Sequence, residues 1–206
     1  MSNLILVRHG ESEWNRLGKW TGLTDIDLTE QGRAEAAQSA KVLSHIAVDL
    51  TFVSELCRAQ NTLKAILAQQ QEGIPVEVHS ALNEKNYGIF TGKNKQQVQE
   101  ERGKEIFQAI RRSWDFPIEG GETLRDVHAR VLPFHKDHVM PHLTIGKTVL
   151  VVSHNNTLRA YIKELEKIDE SRVGDIELGT AEIRNYTFDD EGSIVNCDIT
   201  RQGSVH

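Results

Sequence analysis

The chain predicts an α/β fold of three layers, with a mostly parallel central sheet, helices on both of its faces and a polar helical insertion. Three observations predict it. Short apolar runs alternate with stretches of helical spacing along most of the 206 residues, the pattern of strand–helix–strand units. The run Val149-Leu150-Val151-Val152 is apolar at every position, as suits a parallel strand buried between two helix layers. Segment 83–122 breaks the alternation. It is rich in Lys, Gln, Glu and Arg, with two helix-like pieces and no strand between them. Such insertions are where lids and substrate-selecting residues often sit.

The elements follow in order. Leu4 to Val7 is a first, buried strand. Thr29 to Ile46 reads as a helix with Ala36, Ala40 and Leu43 on one face. Leu50 to Ser54 is a second strand, after which Ala59, Thr62, Leu63, Ile66 and Leu67 recur at helical spacing. Pro75 to His79 is a short third strand. Thr123 opens a long helical stretch with Val127, Val131, Phe134 and His138 along a stripe, and Pro133 inside it predicts a kink or break. Thr148 to Ser153 is a central strand and Leu158 to Leu165 the helix after it. Ile183 to Phe188 and Ser193 to Ile199 form a final strand pair around a turn at Asp189-Asp190-Glu191-Gly192. There is no internal repeat, low-complexity tract or Pro/Gly/Ser-rich linker, so residues 1–206 read as one domain with its insertion at about 83–122.

Bulk properties narrow the function. A net charge of −6 and a pI near 5.9 argue against nucleic acid or an anionic membrane as partner. A protein of this charge that binds an anion must concentrate its cations locally. Cys57 and Cys197 make no disulfide framework and read as small buried hydrophobes. No charged-then-apolar leader opens the chain and no run is long enough to span a bilayer, so a cytoplasmic protein is expected.

Four residues, Arg8-His9-Gly10-Glu11, follow directly on the first strand. Open α/β sheets place their ligands at such strand ends. Arg carries a fork of donors matched to phosphate oxygens, and His is a nucleophile or acid/base near neutral pH. Ser153-His154-Asn155-Asn156 repeats the geometry after the fourth strand, and Arg58 lies at the start of the helix after the second. Arg8, His9, Arg58 and His154 can therefore converge on one phosphate, helped by backbone N–H groups at the helix starts. A histidine that attacks a phosphoryl group also needs a carboxylic acid to protonate the leaving oxygen. Glu84, just after the third strand, is the candidate, with Glu11 and Glu13 as competitors near His9.

The run Arg8-His9-Gly10-Glu11-Ser12-Glu13-Trp14-Asn15 resembles the opening signature of the histidine phosphatase superfamily, in particular its 2,3-bisphosphoglycerate-dependent phosphoglycerate mutase branch. The likeness continues through most of the chain. It includes Trp20-Thr21-Gly22, Asp27-Leu28-Thr29, Ser54 to Thr62, Leu82-Asn83-Glu84 with Tyr87-Gly88, Gly92-Lys93-Asn94-Lys95 and Ile110-Arg111-Arg112-Ser113-Trp114-Asp115. The resemblance implies that His9 is phosphorylated and that Arg8, Arg58 and His154 hold the phosphoryl oxygens. Asn15, Thr21, Gly22, Asn155 and Asn156 would add hydrogen bonds, and Glu84 would move the proton. Tyr87, Lys95, Arg111 and Arg112 would hold the substrate's carboxylate and second phosphate, with the insertion lying over this active site.

The implied reaction interconverts 3- and 2-phosphoglycerate, a step of glycolysis and gluconeogenesis, primed by 2,3-bisphosphoglycerate without a metal. The partner is a small phosphorylated acid, and a homodimer stays open. The alternatives are a phosphatase acting on a small phosphoester through the same histidine and a silent phospholigand-binding protein. Three departures bear on specificity. Lys85-Asn86 replaces Arg-His, so a flexible cation is expected there. Asn155 replaces a glycine and would be strained if its φ were positive. The tail Gly179-Thr180-Ala181-Glu182-Ile183 differs from the branch's Thr-Gly-Val-Pro.

The remaining features have bland readings. His135, His138 and His142 have ligand-like spacing, but no Cys or acidic partner is placed with them, so a solvated helix face is expected and no metal site. The same holds for His45, His79, His128 and His206. Trp14, Trp20 and Trp114 read as wall or core, and the basic residues of the insertion, apart from Arg111-Arg112, as a mixed solvated face.

Overall fold

The computed structural model describes residues 1–201. Its centre is a six-stranded sheet of order β3-β2-β4-β1-β5-β6. The strands are β1 (Ser2–Arg8), β2 (Leu50–Val53), β3 (Val76–Val78), β4 (Thr148–Ser153), β5 (Ile183–Phe188) and β6 (Ile194–Thr200). The first four run parallel, and the β5–β6 hairpin closes one edge antiparallel to β1. The side-chain period of two divides β1 and β4 between two cores. Leu4, Leu6, Val149 and Val151 face one cluster, and Ile5, Val7, Leu150 and Val152 the other.

Helices cover both faces. On one lie α2 (Glu30–Leu43) and α3 (Cys57–Leu67), which bury Ala40, Leu43, Ala59, Leu63 and Ile66. On the other lie α5 (Leu124–Phe134), α6 (Met140–Leu143) and α7 (Asn155–Leu165), with Val127, Val131, Leu158 and Tyr161 inward. The three-layer reading holds. A short α1 (Glu13–Arg16), capped reciprocally by Ser12 and Asn15, was not foreseen in the sequence.

The break expected at Pro133 takes a specific form. Helix α5 ends at Phe134, a π-helical turn spans His135–Val139, and α6 follows. The proline lacks the N–H that an unbroken helix would need there. The histidines of this turn do not form a solvated face. The ring Nδ1 of His135 lies 2.6 Å from the Tyr161 hydroxyl, and His138 stacks on Phe134 beside His79. They fill the core edge as flat amphipathic rings. His206 lies outside the described residues. Cys57 and Cys197 are half-buried and unpaired rather than core residues.

The polar insertion carries α4 (Lys95–Arg112), broken into two pieces at Gly103, whose φ of 81° glycine adopts without steric cost. A third apolar cluster of Trp20, Tyr87, Phe90, Val98, Phe107, Ile110 and Ile118 seats this insertion over the C-terminal end of the sheet. The ends of β1, β2 and β4 and the insertion therefore enclose one region.

Candidate active site

Arg8 and Ser153 are register partners on adjacent strands. The residues that follow them, His9 and His154, emerge side by side, their ring centroids 4.9 Å apart. The chain turns sharply after His9 because Gly10 packs against the N-terminus of α2. A Cβ on Gly10 would stand 2.2 Å from the Gly32 carbonyl oxygen, so no side chain fits.

The His9 Nδ1 lies 2.6 Å from the Gly10 carbonyl oxygen, which can only accept. The proton of the neutral ring therefore sits on Nδ1, and Nε2 keeps its lone pair. Burial, with the Arg58 and Arg8 charges beside it, holds the ring pKa well below the usual imidazole range. His154 is fixed the other way round. Its Nε2 is 2.8 Å from the Ser54 Oγ, whose own proton goes to the Asn83 Oδ1 at 2.8 Å. So Nε2 donates, and the buried Nδ1 has no partner among the described residues. Burial and Arg58 push its pKa well down too.

Arg58, in the first turn of α3, is almost fully buried and donates to the Thr24 and Gly22 carbonyls at 2.9 Å each. Arg8 donates from Nη1 to the Leu178 carbonyl at 2.5 Å. Its buried Nε and the buried Thr21 Oγ1 have no partner among the described residues. Asn15 accepts from the Ser12 N–H and hydroxyl through its Oδ1, which leaves its NH2 to donate. Arg8, His9, Asn15, Thr21 and Arg58 line one pocket together with Gly22, Glu84, Tyr87, Lys95, Asn155 and Asn156. Buried donors outnumber acceptors there, as an anion requires.

Among the described residues, Glu84 is the one carboxylate lining that pocket. One of its oxygens accepts from the backbone N–H groups of Lys85 (2.8 Å) and Asn156 (3.2 Å). Its competitors point elsewhere. Glu11 accepts from the Thr29 hydroxyl, and Glu13 pairs with Arg16 at the surface.

A second pocket adjoins the first. It shares Arg8, Tyr87, Lys95, Asn155 and Asn156 and adds Arg111, Arg159 and Glu177. Lys95 sits with its ammonium 5.6 Å from the centroid of the Trp20 ring, and burial and the Arg111 charge bring its pKa down to about 8. Asn156 donates to the Tyr87 hydroxyl at 2.7 Å and accepts from Arg159 at 3.0 Å.

Arg112 does not join this pocket. It donates to the Gly174 carbonyl and to Glu177, and lines a groove on the other side of that segment. Lys85 is not a flexible cation. It is buried, donates to the Ile110 carbonyl at 3.1 Å and has a pKa brought down to about 8 by burial. Asn155 is the first residue of α7 and is absent from the positive-φ positions, so the strain considered for it does not arise. Sequence reasoning missed Lys19, Arg159 and Glu177 as lining residues, while Trp20, read as wall or core, lines both pockets. Arg159 carried a signal, since it lies one turn after Asn156 on the same helix face.

Comparison with known proteins identifies the family and the fold. The family model described as histidine phosphatase superfamily (branch 1) matches residues 4–197. A 2,3-bisphosphoglycerate-dependent phosphoglycerate mutase of Bradyrhizobium sp. (strain BTAi1 / ATCC BAA-1182) is 44% identical over 180 residues, covering 86% of this chain and 87% of the relative. One of Parvibaculum lavamentivorans is 35% identical over 206 residues, 98% of each chain. Among solved structures, Bacillus stearothermophilus YhfR superposes with a TM-score of 0.84 at 24% identity, covering 100% of this chain and 98% of that one. A mycobacterial glucosyl-3-phosphoglycerate phosphatase superposes with a TM-score of 0.80 at 25% identity, covering 96% of each.

Proposed function

The chain belongs to branch 1 of the histidine phosphatase superfamily, and from that premise we propose that it interconverts 3- and 2-phosphoglycerate through a phosphohistidine at His9. The observation that carries the mutase reading is the second pocket. It opens beside the first, shares its wall and adds the guanidinium groups of Arg111 and Arg159. A simple monoester needs one anion site. A phosphorylated acid, or a bisphosphate turning over in place, needs two.

In the proposed reaction the Nε2 of His9 attacks phosphorus in line, and the bond to the substrate oxygen breaks. Glu84 gives its proton to that oxygen and takes one back from the accepting hydroxyl in the return transfer. Arg8, Arg58, Thr21 and Asn15 receive the phosphoryl oxygens, and His154 joins them through Nδ1 once the bound anion raises its pKa and that nitrogen takes up a proton. Such transfer is mostly positioning and charge stabilisation, and these groups are held in place before substrate arrives. The unpartnered donors of the first pocket and the cationic wall of the second fit 2,3-bisphosphoglycerate, which when bound supplies the priming phosphoryl group. Lys95, Arg111 and Arg159 would hold its far end.

A phosphatase is the second reading. Arg112 turned away from the pocket and a carboxylate on its rim both favour it. The deciding experiment measures 3-phosphoglycerate isomerisation with and without 2,3-bisphosphoglycerate, beside phosphate release from the same preparation. Isomerisation that depends on the bisphosphate and outpaces release supports the mutase. Release without isomerisation replaces it with the phosphatase.

A further inference from the structure

The loop after α7 is strapped down by three arginines. The carbonyls of Ile176, Glu177 and Leu178 accept in turn from Arg159 (2.7 Å), Arg184 (3.3 Å) and Arg8 (2.5 Å). Farther along, the Ala181 N–H donates to the His9 carbonyl, and Ala181 itself is held at a positive φ of 54°. An alanine is strained in that conformation, and the surrounding bonds offset the strain. The side chain of Glu177 therefore projects from a rigid backbone.

That side chain lies between two cationic groups. It pairs with Arg112 on its far side and, on its near side, lines the second pocket with Arg111 and Arg159, where its charge acts on Arg159. The paired guanidinium groups that end α4 are thus split. Arg111 faces the pocket, and Arg112 is held away by Glu177 and the Gly174 carbonyl.

We infer that Glu177 is a specificity-determining residue that weakens the second pocket for doubly charged remote groups by withdrawing Arg112 and placing a carboxylate on the rim. A remote carboxylate, with one charge and a planar shape, needs only Arg111, Arg159 and Lys95. A remote phosphate carries more charge. It meets the repulsion of Glu177 and lacks the second α4 guanidinium, so it is held less well. The consequence is a site that still accepts the bisphosphate but holds it less tightly than the cationic wall would without Glu177. This rests on the reading of the second pocket as the substrate's remote anion site.

The test is equilibrium binding by calorimetry in a His9→Asn background, which blocks phosphoryl transfer. The ligands are 2,3-bisphosphoglycerate and phenyl phosphate, which carries a single anionic group. Adding Glu177→Ala should tighten the bisphosphate by about tenfold, the worth of one charge-assisted hydrogen bond from the released Arg112, and phenyl phosphate by less than about twofold. Adding Arg112→Met as well should remove most of that tightening. Equal tightening of both ligands, no tightening, or tightening that survives the loss of Arg112 overturns the inference. Because no turnover is measured, the outcome is independent of whether the wild-type enzyme isomerises phosphoglycerate.

Discussion

The two adjoining pockets are built by different means. The inner one is made at the ends of β1, β2 and β4 and the helices that follow them. Its side chains start from strand ends and helix starts, and each ring or guanidinium is then locked by its own partner: His9 on the adjacent Gly10 carbonyl, Arg58 on Thr24 and His154 on Ser54. The outer one joins the end of α4, the start of α7 and the 176–179 loop, three segments brought together only by packing. The difference teaches where chemistry and selectivity are stored. The nucleophile and the phosphate-holding groups sit just beyond strand ends or in the first turn of a helix, where the sheet limits their drift. Selecting groups sit on segments that can change partners without disturbing the sheet.

If that division is right, variants of the inner pocket should lose turnover for every substrate, and variants of the outer pocket should discriminate between substrates. The largest effect is expected at His9. His9→Ala should abolish acid-labile labelling by radiolabelled 2,3-bisphosphoglycerate. Label retained in that variant would move the nucleophile, with His154 as the next candidate.

Glu84→Gln comes next. Turnover should fall by roughly 10²–10⁴-fold, the usual worth of a positioned acid/base, while the affinity for substrate changes little. A loss confined to affinity would place Glu84 among the binding groups instead.

Arg111→Ala probes the outer pocket. The removal of a charge-assisted hydrogen bond of about 1.5–3 kcal/mol predicts more than a tenfold fall in kcat/KM for isomerisation. Hydrolysis of phenyl phosphate should fall far less. Parallel losses in both reactions would erase the distinction between the pockets.

The smallest effects are in pH dependence, and each pocket has its own. Because His9 is held neutral well below the usual imidazole value of 6.5, the acid limb of kcat/KM should lie below that value rather than at it. Stability has the matching sign. His9 and His154 have depressed pKa values in the folded state. The unfolded chain therefore takes up protons as pH falls below about 6.5, and the folded chain does not. The urea midpoint should fall as pH drops from about 7 toward about 5. In the outer pocket, Lys95 titrates near 8. The KM for the acid should rise by a few-fold, a modest effect for one partly screened charge, as pH passes upward through that value. Lys95→Met should flatten this limb. A limb that persists would assign it to Lys85, whose pKa is brought to about 8 as well.

Much of this molecule could be read from the chain alone, for a physical reason. Apolar runs that end in Arg-His or Ser-His define strands and the polar residues at their ends within a few positions. Because these strands run parallel, their C-terminal ends then lie together at one end of the sheet. Hence Arg8, His9, Arg58 and Glu84 line one pocket, with the His154 ring 4.9 Å from that of His9. What the chain alone did not reveal is the direction taken by long side chains whose partners are distant. Arg112 turns to Glu177, 65 residues away, and Lys85 buries its ammonium against Ile110, 25 residues away. No periodicity encodes either choice. Each follows from where the folded insertion and the 176–182 loop set an acceptor within reach of a flexible chain. The sheet edge was determined by sequence pattern. The outer pocket, and with it the selectivity, was decided only when the segments packed.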